Sequence, residues 1–170
     1  QLAEDNQAVF KQEFLTRYHA MDNQDPLAQF DQLFEKTHGD LTKMRADYFS
    51  GSVQPPGLII KGVFGSFPQT MTLTPALRRL SVIAVDLLSQ YGPAWRSRFF
   101  DAYVFTPEEL FLGYWPEVLW YPETTSGYQM SHQEWFYLTD LQHNPRRQTI
   151  WTGGYYDEVS KIWLISCVTP

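Results

Sequence analysis

The C-terminal part of the chain constrains the fold most, because it holds two runs dense in β-branched and aromatic residues. These runs cover residues 148–156 and 161–169, and a short polar segment, residues 157–160, separates them. Two such runs around a polar turn are typical of a β-hairpin. One thin hairpin cannot hide all of its large aromatic side chains, so we expect other parts of the chain to cover one of its faces.

The N-terminal part has a helical pattern instead, from residue 2 to about residue 38. Asp25 followed by Pro26 predicts a break and a restart, with Asp25 as the N-cap of a helix whose apolar face continues to Gly39. The apolar residues before the break recur at three-, four- and seven-residue steps and therefore share one stripe. They are Ala3, Phe10, Phe14, Tyr18 and Met21.

A second helix and several short strands are predicted for the middle of the chain. Thr74 and Pro75 mark the start of this helix, and Gly92 with Pro93 marks its end. Residues 58–64, 98–105 and 110–114 are short β-like runs bounded by glycine or turn residues. Helices that precede a set of antiparallel strands predict an α+β domain with its helices on one face of the sheet.

Charge and composition exclude several classes of protein. The formal net charge of -6 and the pI of about 5.1 argue against nucleic-acid binding, since the closest approach to a basic patch is the pair Arg146 and Arg147. No run of about 18 apolar residues is present, so no segment is expected to span a membrane. No signal peptide precedes Gln1, and the chain begins abruptly in a helical pattern, as a segment cut from a longer membrane protein would.

Metal and cofactor chemistry is not expected from these residues. Cys167 is the one cysteine, which excludes an internal disulfide and a thiol cluster, and its apolar surroundings favour a buried hydrophobe over a nucleophile. The four histidines share no ligand spacing and are interpreted as surface residues. Acids near aromatic residues would permit glycosidase chemistry, but no spacing singles out a pair. We therefore expect no catalysis, no metal and no cofactor.

One group of polar and aromatic residues suits recognition rather than bond breaking. Its members supply hydroxyls, an amide, an indole and one carboxylate, which favour a small-molecule pocket, while a well-packed sheet with a wet edge stays open as the structural alternative. Gly153 and Gly154 lie inside a strand pattern and indicate a bulge or a place where a ligand or another backbone comes close. The candidate ligand-binding residues are Tyr128, Gln133, Trp135, Phe136, Tyr155 and Asp157.

Residues 134–170 also resemble the end of the Cache (PDC) domains, the PAS-like extracytoplasmic sensor modules of bacterial chemoreceptors, histidine kinases and diguanylate cyclases. The resemblance rests on a Trp-Phe turn, an Asn-Pro loop, a Trp-Thr strand, a Tyr-x-Asp step and a closing Ser-x-x-x-Pro, in that order. It implies a long N-terminal helix packed on a PAS-like antiparallel sheet. Residues 1–170 would then form a single domain, with a helical stalk region at 1–38 and the sheet with its helices at 58–170.

The resemblance also implies a binding site. In family members that bind amino acids, an early Tyr, a Trp turn and a later Tyr-x-Asp line the pocket, and these positions correspond to Tyr128, to Trp135 with Phe136, and to Tyr155 with Asp157. Asp157 would meet a ligand amine. The position of the family's Arg holds Gln133, whose amide lacks the guanidinium fork that grips a carboxylate. A neutral, cationic or amine-bearing ligand is therefore expected rather than an ordinary α-amino acid.

The function implied is that of a periplasmic sensing domain in a membrane-anchored bacterial receptor of the inner membrane. Such a domain would form a homodimer through its N-terminal helix and transmit ligand occupancy through that helix and its C-terminal end. Catalysis would belong to an output domain elsewhere in the full-length protein. Two alternatives stay open: a secreted carbohydrate-active or carbohydrate-binding domain, and a dimerising spacer that binds no ligand.

Overall fold

The structure is a computed structural model that describes residues 1–120 and 130–170. Its residues group into two compact units. One unit contains Gln1–Gln12 and Pro122–Pro170, and the other contains Glu13–Tyr121. We call them the terminal unit and the central unit. A single sensor domain over residues 1–170 stays a prediction.

The central unit is built on a five-stranded antiparallel sheet with strand order β1-β2-β3-β5-β4. Strand β3 lies between β2 and β5, and nearly all of its residues are buried, as are those of β5. Together with the helices, this sheet confirms the α+β class. The strands are β1 (Phe34–Lys36), β2 (Leu41–Met44), β3 (Val63–Pro68), β4 (Ala102–Phe105) and β5 (Phe111–Tyr114).

Four helices accompany this sheet: α1 (Leu2–Ala20), which begins in the terminal unit and ends in the central unit, α2 (Leu27–Leu33), α3 (Ala46–Ser50) and α4 (Pro75–Trp95). Helix α4 begins where it was predicted to begin. The Thr74 hydroxyl accepts the N–H of Leu77 at 3.2 Å, and Pro75 occupies the first turn, where its missing N–H costs no hydrogen bond. Its Leu87 and Leu88 side chains are fully buried.

The predicted end of α4 at Gly92 is wrong, because the helix continues to Trp95. A Cβ atom at position 92 would lie 2.2 Å from Cγ of Tyr114, far inside van der Waals contact. Gly92 therefore serves close packing between α4 and β5. Position 92 does require glycine, but the reason is its packing against Tyr114 and not the end of the helix.

The predicted capping role of Asp25 is also wrong. Helix α2 has Pro26 at its N-cap position and no side-chain cap. The Asp25 carboxylate instead accepts two hydrogen bonds from the Arg78 guanidinium, at 2.7 and 2.6 Å, and these bonds lower the pKa of Asp25. The Asp25 side chain therefore forms an ion pair with Arg78, which is distant in sequence, and does not cap α2.

The predicted helical face up to Gly39 ends earlier, because β1 begins at Phe34. The Phe34 ring contacts Phe30 at 4.6 Å and Phe67 at 5.5 Å between centroids, so it belongs to the core between α2 and the sheet. Likewise, β3 begins at Val63, and most of the predicted strand at residues 58–64 is irregular.

The apolar stripe predicted for α1 is confirmed in its burial, since all five of its residues are buried or half-buried. Within the central unit, the end of α1 contacts α4 mainly through charged groups. Arg17 pairs with Asp86 of α4 and with Glu13 at 2.7 Å, and the Arg79 guanidinium lies 5.1 Å from the centroid of the Tyr18 ring.

The C-terminal hairpin is confirmed and belongs to the terminal unit. Strand β6 (Ile150–Trp151) pairs with β9 (Cys167–Val168), and β7 (Tyr155–Asp157) pairs with β8 (Ile162–Leu164), both antiparallel. Between the two ladders the first strand carries one residue more than the second, which is the geometry of the bulge predicted at Gly153 and Gly154.

The expected cover for the hairpin comes in part from the first turns of α1. The Trp151 indole donates to Glu4 at 3.0 Å, and Lys11 donates to the Pro170 carbonyl at 2.6 Å. Gln7 bonds the Cys167 carbonyl and the Thr169 hydroxyl. Among the helices of the described residues, none is both long enough and apolar enough to cross a membrane.

Candidate ligand site

The Trp turn of the terminal unit is a short helix, α5 (Glu134–Tyr137), preceded by a 3₁₀ turn at Met130–His132. Trp135 is buried, and its ring meets the half-buried Phe136 edge-on at 6.2 Å. The backbone carbonyl of Gln133 accepts the N–H groups of Phe136 and Tyr137 at 2.9 and 3.0 Å, whereas its side chain caps nothing. Trp135 therefore anchors the turn, and Gln133 begins it.

Glu134 joins this turn to the hairpin. Its carboxylate accepts the backbone N–H of Gly153 at 3.1 Å. A Cβ atom at position 153 would meet the same carboxylate at 3.5 Å, which is an ordinary van der Waals distance. The bulge interpretation of the glycine pair is thus confirmed, the approach of a ligand or another backbone stays a prediction, and Glu134 joins the Trp turn to the hairpin.

Tyr155 and Asp157 lie two residues apart on β7 and so point to the same face of the hairpin. The Tyr155 hydroxyl makes a 2.7 Å hydrogen bond with the Ser166 hydroxyl, which lies between β8 and β9 on the opposite arm of the hairpin. The Asp157 carboxylate accepts the backbone N–H of Ser160 at 3.0 Å and also the Ser160 hydroxyl. Both polar groups thus serve the hairpin itself, with Asp157 shaping the turn between β7 and β8.

Tyr128, the remaining predicted residue, lies outside the described residues. The structure therefore brings three predicted residues into one turn, Gln133 with Trp135 and Phe136, and two onto one strand, Tyr155 with Asp157. Their common role in ligand binding stays a prediction.

A groove of about 400 Å³ opens in the same unit, and it is lined by other residues. We call it the loop groove, because most of its wall is the loop between α5 and β6. Its lining residues are Leu138, His143, Asn144, Pro145, Arg146, Gln148, Ile150 and Trp151.

Asn144 holds the loop in shape. Its buried side chain donates to the Gln148 carbonyl at 2.7 Å and accepts the Gln148 N–H at 3.0 Å. Arg147 adopts a left-handed backbone conformation with φ of 53°, and its guanidinium donates to the Thr139 carbonyl at 2.9 Å. The loop is therefore closed by its own hydrogen bonds.

The charged groups of the loop differ in their partners. The His143 ring lies 2.9 Å from both carboxylate oxygens of Asp140, and hydrogen bonds from the backbone N–H and ring of His143 lower the pKa of Asp140. Arg146 is exposed, and within residues 1–120 and 130–170 its guanidinium has no hydrogen-bond or ion-pair partner. The loop thus presents one guanidinium that is available to a ligand.

Sequence reasoning missed this groove. It weighed Arg146 and Arg147 together as too small a patch for nucleic acid and placed His143 at the surface. The available signal was the Asn144-Pro145 pair, which predicts a turn that Arg146 and Arg147 follow directly.

The described residues give no support for metal chemistry. Within those ranges, no group of three or more His, Cys, Asp or Glu side chains is arranged to hold a metal ion. Burial raises the pKa of the half-buried Cys167 thiol, which reduces its thiolate fraction at neutral pH.

Comparisons of the chain with protein-family models, with curated proteins and with solved structures gave no match.

Proposed function

We propose that this chain is a small-molecule-binding module that serves as a sensor domain and catalyses no reaction itself. The observation that carries the proposal is the loop groove, a preformed concave surface beside the Trp turn with an unpaired guanidinium at its wall. Concave surfaces that join apolar walls to a few fixed polar groups are the usual form of small-molecule sites.

The order of motifs in residues 134–170 supports a more specific proposal, a Cache (PDC) sensor with a PAS-like sheet. The Trp turn, the Asn-Pro loop and the bulged hairpin all lie in the terminal unit, and they follow along the chain in the order on which the resemblance rests. In this proposal the chain is the periplasmic part of a membrane-anchored bacterial receptor. A ligand changes the output of such a receptor only if it binds one of two arrangements of the protein more tightly than the other.

A ligand panel tests the proposed function. Purified protein is screened by thermal shift against amines, amino acids, organic acids and sugars, and hits are titrated by calorimetry. A ligand that binds the folded state raises the melting temperature as its concentration rises. If no compound of any class stabilises the protein, the binding proposal is wrong and the spacer alternative is preferred.

A second candidate function, carbohydrate binding, is favoured by the aromatic end of the hairpin. Tyr156 and Trp163 are cross-strand partners with ring centroids 5.8 Å apart, and Trp163 is 73% exposed. Exposed rings of this kind can stack on sugars. Soluble oligosaccharides that shift the Trp163 indole resonance and the backbone resonance of Tyr156 would support this function, and loss of the Tyr156 shift in Trp163→Ala would assign it to this face.

A further inference from the structure

We propose that the loop groove binds a small organic anion with an apolar body, and that Arg146 is its anchor. This inference rests on the proposed function of the chain as a binding module. It differs from the expectation of an amine-bearing ligand at Asp157, because it assigns another site and the opposite ligand charge.

The charge of the groove favours an anionic ligand. Among the described residues, no Asp or Glu side chain lines the groove and none is a partner of the Arg146 guanidinium. A guanidinium presents a planar fork of donors that matches the oxygens of a carboxylate or a phosphate. In a protein with a formal net charge of -6, such a free cation is the group that a small anion would select.

The other two basic side chains of the loop already have hydrogen-bond partners. His143 faces the Asp140 carboxylate, and Arg147 donates to the Thr139 carbonyl, so both side chains already have partners. Arg146 stands between them in the chain and projects from a loop that Asn144 closes. The loop backbone is therefore ordered before the ligand arrives, which reduces the entropy lost on binding.

The rest of the groove wall favours a ligand with an apolar body. Leu138, Ile150 and Trp151 line the groove with apolar surface. The Trp151 indole N–H donates to Glu4 at 3.0 Å, which orients the ring and leaves its carbon surface as the contribution to the groove. An aromatic or branched apolar group would bury this surface, so a bare inorganic ion would use only part of the site.

Matched aromatic probes test the inference. Benzoate and phenyl phosphate carry the two anionic heads, and benzamide is a neutral isostere of benzoate. Binding is followed by two-dimensional ¹H–¹⁵N NMR, with the indole N–H of Trp151 and the backbone of residues 143–148 as reporters. We expect benzoate or phenyl phosphate to shift these resonances, with benzamide weaker by about tenfold, since an ionic hydrogen bond is lost.

Two variants complete the experiment. Arg146→Gln removes the proposed anchor and should weaken the better anion by about tenfold, while Arg98→Gln makes the same change at an exposed arginine of the central unit and should leave affinity unchanged. Arg146 makes no bond within the described protein, so both variants should keep the parental melting temperature. A better response to phenyl phosphate than to benzoate would assign the head group as a phosphate.

Three results would overturn the inference: no shift of the reporters with either anion, binding of benzamide as tight as that of the better anion, or full affinity for that anion in Arg146→Gln. The ligand panel separates these from failure of the proposed function. If an amine or a sugar binds and the anions do not, the chain remains a binding module and only the anionic assignment is wrong.

Discussion

Asp157 shows how the structure changes the meaning of one residue. The Tyr-x-Asp step suggested a carboxylate held for a ligand amine, but the Asp157 oxygens accept the N–H and the hydroxyl of Ser160, and its backbone carbonyl accepts the N–H of Lys161 at 2.8 Å. Lys161 adopts a left-handed conformation with φ of 60°, which this turn requires. The main role of Asp157 is therefore to stabilise the hairpin turn. A ligand amine would have to compete with Ser160 for the carboxylate oxygens.

Replacing Asp157 tests this structural role. We expect Asp157→Ala to destabilise the protein by about 1–2 kcal/mol, because charge-assisted hydrogen bonds to the turn are lost at a half-buried site. The measurement is the free energy of unfolding from urea denaturation. Glu158→Ala is the control in the same turn, since Glu158 pairs only at the surface, with Lys161, and its removal should cost less than about 1 kcal/mol. Equal stability of the Asp157→Ala variant and the parent would refute the turn-closing role.

At the scale of the element, α4 shows a conflict between local preference and packing. A glycine near the end of a helix reads as a stop, and in an isolated helix alanine would be preferred there by about 1 kcal/mol. The Tyr114 ring occupies the space that a Cβ at position 92 would need. Packing is the larger effect, since forcing extra volume into a filled core costs about 1–3 kcal/mol.

Gly92→Ala therefore has a prediction with a definite sign. We expect a net loss of about 2 kcal/mol in the free energy of unfolding, because a Cβ 2.2 Å from Tyr114 Cγ places the overpacking cost at its upper end, about 3 kcal/mol, from which the helix preference of about 1 kcal/mol is subtracted. Gly154→Ala is the matched control, because a Cβ there meets nothing within 4 Å, and its effect should stay within about 0.5 kcal/mol. If Gly92→Ala is as stable as the parent or more stable, α4 does not approach β5 as closely as described.

At the scale of the whole molecule, α1 carries the proposed dimer. The inward stripe of this helix is buried or half-buried within the protein, whereas Leu2 and Val9 are 50% and 56% exposed. Residues seven positions apart share a helix face, so these two side chains form the start of an apolar strip that a second copy of the helix could cover. The proposal that the chain pairs through α1 depends on this strip.

Sedimentation equilibrium tests the dimer directly. We expect the parent protein to dimerise and Val9→Glu to weaken the dimer at least about tenfold, because the added charge would be buried in the interface. Ala8→Glu places the same charge about 100° around the helix and should have a smaller effect. A parent that stays monomeric at every concentration would refute pairing through α1.

The sequence by itself determined the local features, because they depend on residues close together in the chain. It determined the hairpin at the C-terminus with its bulge at Gly153 and Gly154, the start of α4 at Thr74 and Pro75, the inward stripe of α1 and the α+β class. Periodicity, turn chemistry and capping act over a few residues and can be read directly.

The tertiary structure decided what depends on distant partners. It moved Asp25 from a cap to an ion pair with Arg78, turned Gly92 from a stop into a contact with Tyr114, and drew Phe34 into a strand beside Phe67. It also left the Arg146 guanidinium without a partner among the described residues while giving His143 and Arg147 theirs. Such differences cannot be read from composition or spacing, because whether a polar group is free for a ligand depends on what the fold places beside it.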